Sequence, residues 1–172
     1  VAGQEDATKT AEVRFLRAYY YFHLMDCFGN VPFTISSTSV ESPEQIKRAD
    51  LYVWIVNELK EAEQSMAAPR TIKYGRADKA AAWMLLARLY LNAEVYTGTA
   101  QWQKAADYAK KVIDSPYKLN TTSTQKWTAY QMLFMGDNGE SAASSEAVFP
   151  ILGDGMTTAS YGTFHFLMAS TF

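Results

Sequence analysis

The chain of 172 residues holds one cysteine, Cys27. It can form no internal disulfide and no cysteine-rich metal site. At the end of an aromatic helix, Cys27 is expected to be a small buried apolar group. Histidine is almost as scarce: His23 and His165 are the only two. His23, Asp26 and Cys27 share one helix end and resemble the parts of a Cys–His nucleophile. A functional thiol needs a lowered pKa and access, and a buried Tyr/Phe-rich helix offers neither. His165 has no partner at metal-ligand spacing. No run of eighteen apolar residues exists, so nothing spans a bilayer as a helix. The start, VAGQEDATKT, lacks the basic and apolar regions of a signal peptide. The protein is therefore expected either to stay in the cytosol or to have lost an export signal. A net charge of −2 with scattered basic residues excludes a general attraction to nucleic acid or anionic lipid. No cofactor is implied.

Hydrophobic residues are abundant, at 48%, and aromatics make up 14%. This is enough for a sizeable core and argues against disorder. The most informative stretch is RFLRAYYYFHLMDCFGNVPF, from Arg14 to Phe33. A second helix with related lettering, GRADKAAAWMLLARLYLNAEVY, begins at Gly75. Aligning Ala18 with Ala87 also aligns Tyr21 with Tyr90, since 87 − 18 and 90 − 21 both equal 69. An Ala and a Tyr three residues apart on recurring helices predict stacked hairpins of the tetratricopeptide kind.

The periodicity predicts a first helix over 4–27, with Phe15, Ala18, Tyr19, Phe22 and Met25 facing inward. Gly29-Asn30 and Pro32 end it. Ser42 is expected to cap a second helix, with Pro43 in its first turn, that runs to about Met66. Its inner stripe is Leu51, Ile55, Leu59 and Ala62, with Val56 beside it. A third helix is expected over 77–96 and a fourth over 100–114. Composition changes after Tyr117. A short helix is expected around Trp127, Tyr130 and Leu133, then a loop over 136–145, then a strand or extended segment over 147–152. The domain plan is residues 1–117 as helical repeats and 118–172 as the start of an irregular, loop-rich region. Leu167-Met168-Ala169 and Phe172 are too apolar for an exposed tail, so a larger fold is expected to continue. The fold class is mainly α, with short strands.

The lettering of Glu12, Arg14-Phe15-Leu16-Arg17-Ala18, Tyr19–Phe22 and Gly29-Asn30-Val31-Pro32 strongly resembles the SusD/RagB family. Further matches follow in family order. They include Leu59 to Ala62, Gly75-Arg76 through Lys79, Leu85 to Leu91, and Trp102 with Ala105-Ala106. Val148 to Ile151, Asp154-Gly155 and Ser160-Tyr161-Gly162-Thr163 complete the series. The resemblance implies an outer-membrane lipoprotein of Bacteroidetes that captures nutrient glycans without catalysis. It implies transfer of oligosaccharides to a SusC-like TonB-dependent transporter. The expected anchor cysteine is absent here, so a lipid anchor and a surface location are implied by the resemblance alone.

Arg14 and Arg17 could hold an anion, but arginines linking packed helices are the better explanation. Asp78, Glu94, Asp107 and Asp114 are expected on exposed helix faces, with no pair set across a sugar ring as a glycosidase requires. Gly153-Asp154-Gly155 reads as a turn. Trp127, Tyr130, Tyr161 and Phe164 lie in the irregular part, where aromatic faces can stack on sugar rings. Tyr161 is the first candidate ligand residue, with Asp154 as a hydrogen-bonding neighbour and Trp127 as a further stacking group. The rival reading is a tetratricopeptide-type scaffold that binds peptides and has no sugar site. A hydrolase ranks third.

Overall fold

The computed structural model describes residues 6–36, 38 and 42–153. Helix α1 spans Ala7–Phe28. It begins where Asp6 accepts from the amides of Thr8 and Lys9 and ends at Gly29, whose φ of 73° suits glycine. The chain then forms a two-residue strand β1, Val31–Pro32, paired antiparallel with β2, Gln45–Ile46. Helix α2 follows over Arg48–Ser65. Helix α3 spans Lys79–Leu91, with Asp78 as its cap. A short α4, Ala93–Thr97, precedes α5, Trp102–Ile113. A single turn α6, Ala129–Met132, and a 3₁₀ turn, Ala142–Ser145, complete the described elements. No described helix is long and apolar enough to cross a membrane.

Two hairpins result, as the Ala/Tyr spacing predicts. Helix α1 packs on α2, and α3 on α5, with α2 and α3 in contact between them. Both pairs are antiparallel. Arg14 meets Glu58, Tyr21 meets Trp54, and Asn30 meets Arg48. Likewise Trp83 lies under Lys111, while Tyr90 stacks on Tyr108. The core holds Phe15, Ala18, Phe22 and Met25 against Leu51, Ile55 and Leu59, and it continues into Leu85, Leu86 and Leu89. Ala18 and Ala87 are both buried. Their tyrosine partners differ: Tyr90 is buried and Tyr21 half-buried. The Tyr21 hydroxyl instead clasps Thr34, accepting from its amide and donating to its carbonyl.

Helix α2 starts at Arg48, not at Pro43. Residues Glu44 to Ile46 are taken up by the ladder with β1, and Phe33 donates to the Glu44 carbonyl at 2.9 Å. Its cap residue Lys47 makes no side-chain capping bond. Asn30, eighteen residues earlier, accepts from the Arg48 amide at 2.8 Å instead. Asn30→Ala is expected to cost about 1 kcal/mol, a typical cap contribution, read as a lower midpoint in chemical denaturation. The expected third helix is divided at Asn92, whose side chain donates to the Arg88 carbonyl and competes with the helix ladder. Of the two forms expected over 147–152, strand or extended segment, the chain takes the second and forms no ladder among the described residues. Its apolar residues pack instead, with Phe149 set edge-on to Phe15 at 5.2 Å and to Tyr19 at 5.8 Å.

Arg14 and Arg17 link the helices. Arg14 pairs bidentately with Glu58 at 3.0 and 2.6 Å and reaches Glu61 at 2.6 Å, and Arg17 also bonds Glu58. Burial raises the Glu58 pKa, but the hydrogen bonds from Arg14 and Arg17 outweigh it and hold the carboxyl below its ordinary range. A depressed folded pKa gives stability that is full above the unfolded value and is lost as pH falls through the folded one. Unfolding measured from about pH 5 downward should therefore lose less stability in Glu58→Gln than in the parent. Equal acid slopes would show that Glu58 takes no part.

Candidate functional site

The connector between the hairpins, Ala67 to Ala77, carries the irregular segment. Arg70 adopts a φ of 60°, uncommon for a side-chain-bearing residue. This turns its amide onto the Asp78 carboxyl at 2.8 Å. The Arg70 guanidinium then donates to the carbonyls of Ser144 and Ser145 and lies 5.2 Å over the Tyr117 ring. Tyr117 donates to Asp78 at 2.8 Å. Burial, followed by this hydrogen bond, pushes the Tyr117 phenol well above its ordinary range. Asp78 is only 1% exposed. The sequence reading placed it on a solvated face. That expectation fails because Arg70, eight residues before it, and Tyr117, far along the chain, converge on its carboxyl.

Segment 117–150 also folds on itself. Asn120 donates its amide to Glu146 and its side chain to the Ala129 carbonyl. Thr128 and Gln131 form a capping box on α6. Between this segment and the connector lies a cleft of about 700 Å³. Tyr74, Leu133, Ile151 and Leu152 supply apolar walls, and Asp137, Asn138, Glu140 and Glu146 supply acceptors. Two glycines permit the close approach. A Cβ at Gly139 would stand 3.2 Å from the Tyr74 ring, and one at Gly75 only 2.5 Å from Leu152 Cδ1. Apolar walls with a few convergent polar groups suit a hydroxyl-rich ligand with C–H faces.

Trp127 lies beside this cleft in sequence, at a turn where Thr124 and Trp127 exchange hydrogen bonds. It is exposed, with the Lys126 ammonium 5.0 Å from its ring, and it does not line the cleft. Asp154, Tyr161, Phe164 and His165 lie outside the described residues. The cleft residues themselves escaped the sequence reading. Their one signal was the Gly136 to Ser145 loop, which places Asp137, Asn138 and Glu140 between glycines.

Chemistry by the other candidates finds no support in the geometry. Cys27 is exposed, not buried as expected, because it sits in the last turn of α1, beyond the buried Met25. The His23 ring packs edge-on against Tyr19 at 4.5 Å and against Phe22. Asp107 and Asp114 bond Gln103 and Lys110 on their own helix. No cluster of three metal-ligating side chains occurs among the described residues.

A family model described as SusD-like, "Starch-binding associating with outer membrane", matches residues 4–91, half of the chain. The chain belongs to the SusD-like family. The starch-binding protein SusD of Bacteroides thetaiotaomicron is 46% identical over 168 residues, which is 97% of this chain and 29% of that protein. SusD-like protein P2 of Formosa agariphila is 29% identical, over 82% of this chain and 26% of that protein. Among solved structures, surface glycan-binding protein A of Bacteroides uniformis superposes with a TM-score of 0.67 at 25% identity, over 86% of this chain and 32% of that one. A SusD-like carbohydrate binding protein of Bacteroides fragilis gives 0.63 at 26% identity, over 76% and 25%. This SusD-like chain thus spans under a third of the curated relatives it matches.

Proposed function

We propose that this chain is part of a non-catalytic glycan-binding protein of the outer membrane, which captures oligosaccharides and passes them to a TonB-dependent transporter. A lipid anchor at the cell surface belongs to the same proposal. The carrying observation is the 46% identity to a starch-binding protein. It extends over 168 residues, so it takes in the cleft as well as the hairpins. The cleft adds matching chemistry: apolar walls for sugar C–H faces and acceptors for hydroxyls.

The peptide-scaffold reading loses its groove. The surface between α1 and α3 is where a tetratricopeptide pair would hold a peptide. Here the chain's own Val148 and Phe149 lie there, against Phe15, Tyr19, Ala81 and Leu85. Tyr161, Asp154 and Trp127 remain the proposed ligand contacts. In the complete natural protein, Tyr161→Ala is expected to weaken the best glycan about tenfold, or about 1.4 kcal/mol, with unchanged melting. Parent-like affinity would make Tyr161 a packing residue.

A further inference from the structure

We propose that Tyr130 and Phe134 form a second stacking subsite, outside the cleft, for the additional rings of a neutral oligosaccharide. The proposal rests on the glycan reading above. Tyr130 lies in α6 and Phe134 two residues past its end, and their rings meet edge to face at 5.2 Å with an angle of 64°. They are 70% and 72% exposed. Burying exposed aromatic surface is favourable, so each ring keeps binding energy in reserve. Their backbone is held in place. The Thr128–Gln131 capping box closes the turn, Ala129 donates to Ser123 at 3.0 Å, and Asn120 holds the Ala129 carbonyl.

Leu133, between the two rings in sequence, lines the cleft. The aromatic pair therefore sits on the same short turn that supplies the Leu133 wall of the cleft. The exposed area favours a sugar chain over a protein. Two aromatic side chains offer at most about 500 Å², whereas a stable protein partner needs about 800 Å² on each side. Charge selects the class of sugar. The described cleft lining carries Asp137, Glu140 and Glu146 and neither lysine nor arginine. Carboxylates accept from hydroxyls and repel uronate or sulfate groups.

The test is calorimetry on the complete natural protein with maltotriose and maltoheptaose, cello-oligosaccharides of the same lengths, and an oligogalacturonate of the longer length. The Tyr130→Ala/Phe134→Ala double variant is expected to bind the longer neutral chain about tenfold more weakly than the parent. The short chain should bind both proteins equally, and the anionic chain should bind neither. A double variant that binds long and short chains like the parent overturns the subsite while leaving the glycan reading intact. So does equal loss at both lengths, or a lowered melting temperature, which would show the rings packed against protein. Preference for the galacturonate overturns the neutral assignment. A parent that binds no glycan overturns the subsite and the reading beneath it.

Discussion

Asp78→Ala is expected to destabilise the fold by about 3–5 kcal/mol. The side chain is almost fully buried and accepts at 2.8 Å from each of three donors: the amides of Arg70 and Ala80 and the phenol of Tyr117. A buried polar group left unpaired costs about 1–3 kcal/mol, and alanine would strand three together. The cap of α3 is lost in the same step, and so is the joint between the connector and segment 117–150. Asp78→Asn keeps the size and some acceptor capacity, and should cost about half as much. Chemical denaturation reads both values. Limited proteolysis should also cut earlier between Tyr117 and Pro150 in the alanine variant. A loss under about 1 kcal/mol would mean that Asp78 is not the joint described.

Tyr90→Ala should cost a similar amount, about 3–5 kcal/mol, the usual range for removing a large aromatic from a core. Tyr90 is 4% exposed and stacks on Tyr108 at 5.6 Å, closing α3 against α5. Its repeat equivalent behaves differently. Tyr21 is half-buried and packs on Phe33 and Trp54 near the β1–β2 ladder. Tyr21→Ala should therefore cost less, about 2 kcal/mol, because water can enter the vacated space. Thermal melts of the two variants side by side measure the difference. Equal losses would mean that the two tyrosines occupy equivalent sites after all.

The helical hairpins were legible because their signals are local. Phe15, Ala18, Phe22 and Met25 repeat at helical spacing, and all four are buried. Gly29 and Gly98, both with positive φ, end helices where glycine is expected. What escaped was set by distant partners. Asn30 caps α2 across a ladder of two short strands, so the local capping signal of Ser42 and Pro43 does not mark its start. Nothing near Asp78 in sequence announces its partner Tyr117, so local spacing alone points it to solvent. Arg14 and Arg17 were readable as linkers, but Glu58 as their common partner was not. The cleft depended on tertiary contacts of this kind, since Tyr74 and Gly139 meet only after the connector and the loop have folded. Trp127 and Tyr130 are marked in the sequence only as aromatics on an irregular segment, which does not say whether they meet a ligand. Phe134 stands out only in the structure, by its exposure beside Tyr130.

All of these proposals rest on glycan binding by the protein that carries this chain. Its most direct test is titration calorimetry of the complete natural protein against plant, host and microbial oligosaccharides. The expected result is binding of at least one neutral glycan with a dissociation constant between about 1 mM and 1 µM, or roughly −4 to −8 kcal/mol. Open stacking sites gain little per ring and must still order a flexible ligand, which sets that range. No heat of binding with any glycan, from a folded protein at millimolar ligand, would contradict the claim.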